Sequence, residues 1–146
     1  MKDTRRALVI SMALAVGSTS LHGQAASVDE GLAAYRSQDY QDAHDILGPL
    51  ARQGQPEAEL ALARMYHTGR GVEQDVHEAV YWYCHAASHG VAEAQFQLAL
   101  FYLDGNVVNE NEAMALDWLE KAADQGHQQA ARLRQLVLDN ELLVGC

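Results

Sequence analysis

The chain has 146 residues, with 10 Lys and Arg against 20 Asp and Glu, giving a formal net charge of −10 at pH 7. So acidic a balance disfavours nucleic acids and anionic lipid surfaces, because both repel it. Nearly half of the residues are apolar, yet no run approaches the ~20 apolar residues that a membrane-spanning helix needs.

The first residues carry Lys2, Arg5 and Arg6, then the apolar run Ala7–Val16, then small and polar residues that include Gly23-Gln24-Ala25. That order is the layout of a secretory signal peptide over 1–25. Cleavage is expected after Ala25, with Ala26 as the neighbouring alternative, leaving a soluble periplasmic or secreted chain. Removing 1–25 takes away Lys2, Arg5, Arg6 and Asp3, which leaves seven basic and nineteen acidic side chains and a formal charge of −12. The 121 remaining residues suffice for one modest core.

Beyond the junction the chain repeats itself. Gly54, Gly90 and Gly126 are spaced by 36 residues, and Ala43/Ala79/Ala115, Ala51/Ala87/Ala123 and Ala58/Ala94/Ala130 keep the same period. Laying 57–90 on 93–126 without a gap gives 12 identities in 34 positions, among them Tyr66/Tyr102, Gly69/Gly105 and Trp82/Trp118. A period of this length indicates stacked two-helix units.

In chain order, 26–56 reads as a partial N-terminal repeat, with helices over 29–36 and 39–52 joined tightly at Gln38-Asp39-Tyr40. The segment 57–92 is the first full repeat. Ala58, Leu62, Met65 and Tyr66 mark one face of its first helix. Gly69 ends that helix, and Asp75 supplies an N-cap for the second, because its carboxylate accepts from free N–H groups of the first turn. In that second helix Ala79, Trp82, Tyr83, Ala86 and Ala87 share a face that stops at Gly90.

The segment 93–126 repeats this with Ala94, Leu98, Phe101 and Tyr102, then Asn111 as cap, then Ala115, Trp118, Leu119, Ala122 and Ala123. Val107 replaces Gly71, so the second turn is expected to take another shape. Trp82 and Trp118 are read as equivalent anchors. The segment 127–146 begins as a third first helix and has no second helix, which suggests a C-terminal cap.

The pattern from Ala58 to Gly90, with Leu62, Ala63, Tyr66, Gly69, Gly71, Val72, Asp75, Ala79, Trp82, Ala86 and Ala87 between them, resembles the Sel-one-like repeat family, relatives of the tetratricopeptide repeats. The resemblance implies an all-α fold, an α-solenoid built as a right-handed superhelix of antiparallel helix pairs. It also implies a role in protein–protein contact. Bacterial envelope relatives look like adaptors, regulators or, in some cases, inhibitors of secreted toxins.

Four histidines fall in the first full repeat, at His67, His77, His85 and His89. His85 and His89 are four apart with Cys84 adjacent, but Cys84 points about 100° away from His85 on a helix, so three ligands do not converge and no metal is expected. Their counterparts Lys121 and Gln125 read as solvent-facing. Cys84 and Cys146 leave a disulfide open, although nothing in the repeat brings them together. No cofactor is expected.

Gly69-Arg70-Gly71 joins two helices and is no phosphate-binding loop, and no Ser-x-x-Lys nucleophile occurs, so an enzyme of the β-lactam-binding type ranks third. A non-catalytic adaptor or regulator, a monomer holding one protein partner, is preferred. An immunity protein that neutralises a secreted toxin comes second. The binding face is expected on the first helices, where Leu100 and Leu103 replace the polar Arg64 and His67. Phe96 and Arg132 lie beside them.

Overall fold

The computed structural model describes residues 26–144, with side chains to Asp139; the expected signal peptide over 1–25 and the cysteine at position 146 lie outside them. The described residues form seven helices and no strand: α1 (Val28–Arg36), α2 (Tyr40–Arg52), α3 (Pro56–Thr68), α4 (Val76–Ser88), α5 (Ala92–Asp104), α6 (Glu112–Asp124) and α7 (Gln128–Val144). Each helix packs on its neighbours in sequence, and α1 also touches α3. This is an all-α solenoid: three antiparallel pairs followed by α7.

Local chemistry fixes the boundaries. The Ser27 hydroxyl caps α1 by accepting from the Glu30 N–H at 3.2 Å. Asp75 caps α4 by accepting from the N–H groups of His77 and Glu78 at 2.9 and 3.1 Å, and Asn111 caps α6 by accepting from Met114 at 3.0 Å. Gly69 and Gly105 end α3 and α5 with φ of 68° and 70°, the left-handed conformation that costs glycine little. Pro56 opens α3 at the first helical turn, where its missing N–H has no partner to lose.

The two long turns differ as the sequence suggests. Gly71 has φ of +73°, and a Cβ there would lie 2.5 Å from the backbone oxygen of Tyr40. The first turn is therefore pressed against the start of α2, which only glycine permits. Val107 holds the equivalent place without a left-handed backbone, so the second turn runs differently. Both turns still close the same way, through Asp75 N–H to Tyr66 and Asn111 N–H to Tyr102.

Alanine dominates the interior: of the 20 buried apolar residues among those described, 13 are alanine. Side chains this small let helix axes approach closely along the stack. Leu47, Leu62, Met65, Trp82, Tyr83, Leu98 and Leu119 fill the spaces between them. The core divides in two. One cluster runs from Ala43 through Leu98, and a smaller one holds Ala99, Ala115, Leu119, Ala122 and Ala130.

The tryptophans are not equivalent, contrary to the sequence expectation. Trp82 is 9% exposed and belongs to the large cluster, whereas Trp118 is half-buried at the junction of the two clusters. Its indole Nε1 is buried without a hydrogen-bond partner, and Lys121 Nζ stands 4.3 Å from the ring centroid. In α7, Arg134 occupies the register of Leu62 and Leu98, so this end is packed by a charged side chain, 3.8 Å from Glu120, instead of leucine.

Trp82→Ala should therefore cost about 3–5 kcal/mol, and Trp118→Ala distinctly less. Urea unfolding of both variants checks the ranking, and equal losses would mean that the two ends are equally well packed.

Candidate functional site

The first helices of successive pairs form one layer, and Glu93 ties it together. Glu93 of α5 lies 3.7 Å from the Arg64 guanidinium of α3, accepts from Gln97 Nε2 at 3.0 Å, and accepts from His127 Nε2 at 3.1 Å. The other nitrogen of His127, Nδ1, accepts from the Ala130 N–H at 3.2 Å. Both ring nitrogens are thus engaged, so that His127 caps α7 while holding Glu93.

Between α1 and α3 this layer opens into a cavity of about 280 Å³ lined by Leu32, Tyr35, Arg36, Glu57, Leu60, Ala61 and Arg64. Its lining is mostly apolar, with Arg36, Arg64 and Glu57 as the charged members, which suits a partner side chain with an apolar body. Farther along, the register that holds Arg64 in α3 holds Leu100 in α5 and Leu136 in α7. These leucines are 36% and 65% exposed. Leu136 is the more open of the two.

The remaining candidates have other surroundings. Phe96 is half-buried and stacks on the His127 ring at 4.7 Å, and both Phe96 and Leu103 pack against the smaller cluster. His67 turns toward α4, with Nδ1 3.4 Å from the Tyr83 hydroxyl and its ring 5.4 Å from Phe101. Burial pushes the Tyr83 hydroxyl up to about 12, so it stays protonated beside His67. Arg132 is exposed on α7. Arg64, Leu100 and Leu136 therefore lie on the open layer, whereas Phe96, Leu103 and His67 support it from within.

A pair of buried polar positions escaped the sequence reading. Glu59 is 1% exposed, and its Oε2 accepts from His89 Nδ1 at 2.7 Å. One repeat later Gln95, 4% exposed, donates to the Ala87 carbonyl at 3.1 Å and accepts from Gln125 Nε2 at 2.9 Å. The residues at 89 and 125, read as solvent-facing, reach back to satisfy the polar groups at 59 and 95. The available signal was the recurrence of two hydrogen-bonding side chains 30 residues apart in both copies.

Among the described residues no three His, Cys, Asp or Glu side chains converge as metal ligands. Cys84 is half-buried, and burial pushes its thiol up, which lowers its reactivity.

Burial alone would raise the Glu93 carboxyl, but the Gln97 and His127 hydrogen bonds and the Arg64 charge outweigh it and hold the group below the usual carboxylate range. A depressed folded-state value contributes stability above the unfolded value of about 4.3, and that contribution is lost as pH falls through the folded one. Glu93→Gln should lower the melting temperature at pH 7 and flatten its decline below about pH 4.5. Parallel acid limbs for the two proteins would show that Glu93 contributes nothing there.

The profile of the Sel1 repeat matches residues 56–91 and 92–127, which contain α3–α4 and α5–α6 with their closing glycines. Among solved structures, the chain is similar to a Sel1 repeat protein from Oxalobacter formigenes, at 33% identity and a TM-score of 0.70, over 74% of this chain and 44% of that one. It is also similar to a protective antigen of uropathogenic Escherichia coli strains that displays an SLR fold, at 34% identity and a TM-score of 0.65, over 70% of this chain and 23% of that one. The chain thus spans less than half the length of either. No curated protein matches it. With two complete repeats in one register and a helical stack that superposes on both structures, the chain belongs to the Sel1 repeat family.

Proposed function

We propose that this protein is an exported, non-catalytic binding module that holds a protein partner along the open layer of its first helices. Sel1 repeats generally mediate protein–protein interaction. The observation that carries the reading here is the row of Arg64, Leu100 and Leu136 at one register in α3, α5 and α7. Two of its members are exposed leucines, and the α1–α3 cavity continues the row. Apolar anchors flanked by arginine are the usual make-up of a recognition surface. Export is supported by Lys2, Arg5, Arg6, the Ala7–Val16 run and the small residues before Ala26.

Two measurements test this. Leu100→Arg with Leu136→Arg should leave the melting temperature nearly unchanged, since exposed substitutions shift stability by about 0.5 kcal/mol or less. The same variant should abolish in-cell crosslinking to the partner that the wild-type protein captures. Retained crosslinking would move the binding face elsewhere, and loss of helicity would assign the leucines to the core. N-terminal sequencing of protein purified from the envelope fraction should begin at Ala26; material beginning at Met1 would remove the export reading and leave the binding face untouched.

A further inference from the structure

The opposite side of the stack carries a second cleft, whose lining is not repeated in the sequence. A cavity of about 190 Å³ opens where the end of α2 meets α4, lined by Ala51, Arg52, Gly54, Glu59, Tyr81, Trp82, His85 and His89. One repeat later the corresponding positions hold Ala87, Ser88, Gly90, Gln95, Asp117, Trp118, Lys121 and Gln125. The alanine, the glycine and the tryptophan are kept because the stack needs them. Five other positions differ, and four of the residues found here, Arg52, Tyr81, His85 and His89, lie at the surface.

Their chemistry converges on one kind of ligand. Tyr81 is the most exposed aromatic residue among those described, at 51%, and its ring lies 4.6 Å from His85 and 5.1 Å from Trp82. Arg52 has no ion-pair partner among the described residues, and its guanidinium lies back along α2 over Gly48. The His89 ring packs beside Gly54. The single carboxylate in the lining, Glu59, is buried and already accepts from His89. A cation entering the cleft would meet Arg52 and find that carboxylate occupied. An anion would meet an imidazole and an aromatic wall, with the unpaired Arg52 guanidinium reaching it by swinging off Gly48.

We propose that this cleft is a second binding site, which takes a carboxylate side chain of an acidic protein segment. Arg52 supplies the fork that a carboxylate accepts in pairs, Tyr81 and His85 flank the segment's aliphatic stem, and His89 closes the floor over Glu59. Only seven basic side chains stand against nineteen acids in 26–146. With Glu59 held by His89, the unpaired Arg52 is the one formal charge of the lining left without a partner, and charge complementarity favours an acidic partner. The site lies on the second-helix side and stands independently of the open layer of first helices.

The test uses the whole exported chain and two blocked peptides, one containing Glu-Glu-Leu and the other Gln-Gln-Leu, followed by NMR on the imidazole, guanidinium and indole resonances of residues 52, 82, 85 and 89. The glutamate peptide should produce saturable shifts at all four, and the glutamine peptide should bind about tenfold or more weakly, the cost of losing a charge-assisted pair. The variant Arg52→Ser with Tyr81→Asp copies the next repeat, so the fold tolerates those side chains. It should bind the glutamate peptide at least about tenfold more weakly while melting as the wild type does. Equal binding of both peptides, or undiminished binding by the variant, overturns the proposal. Inorganic phosphate that produces the same four shifts and displaces the peptide also overturns it, by making the cleft an ion site.

Discussion

Close approach of helices through alanine is the constraint on which everything else in this molecule rests. Thirteen of the twenty buried apolar residues are alanine, so little core volume comes from any one side chain, and burial depends on each helix lying near two neighbours. No pair hides its apolar stripe alone, which is why the same alanines recur every 36 residues. Close packing also leaves no room for error in the turns. Gly71 against the Tyr40 carbonyl and the left-handed glycines at 69 and 105 aim each second helix back along the first.

A stack of this kind assigns different jobs to its two faces. On the first-helix side, Glu93 draws together Arg64, Gln97 and His127, so the spacing of α3, α5 and α7 is set by charge and hydrogen bonds as well as by packing. On the second-helix side the repeats are free to diverge wherever the alanine, glycine and tryptophan positions are kept. Repeat identity is therefore informative about architecture, and departures from it are informative about recognition. Arg64 against Leu100, and Arg52 against Ser88, are departures of that kind.

The architecture was legible because it is written in residues with narrow conformational roles. Glycines end helices, Asp75 and Asn111 start them, and alanine spacing shows which faces meet. The partnerships of Glu59 and Gln95 were not legible. Glutamate and glutamine usually mark surface, and only the positions of His89 and Gln125 reveal that these two are buried and satisfied. The α1–α3 cavity was hidden for another reason: the N-terminal pair lacks the long turn, so Tyr35 and Arg36 have no counterpart in the repeat register. The inequality of Trp82 and Trp118 was not legible either, because the two share one register and only the split of the core separates their burial.

The split of the core has a consequence for motion. The two clusters meet mainly through Tyr102 and Trp118, and the helices beyond them pack mostly on their neighbours in sequence. Opening at α6 and α7 therefore breaks few contacts with α1 to α4, and the molecule can lose one end without losing the other. Amide protons in α7 and α6 should exchange through such partial openings, while those of α3 and α4 wait for global unfolding. A partner spanning Arg64, Leu100 and Leu136 would clamp the loose end to the firm one, so part of its binding free energy would be consumed in damping that fraying.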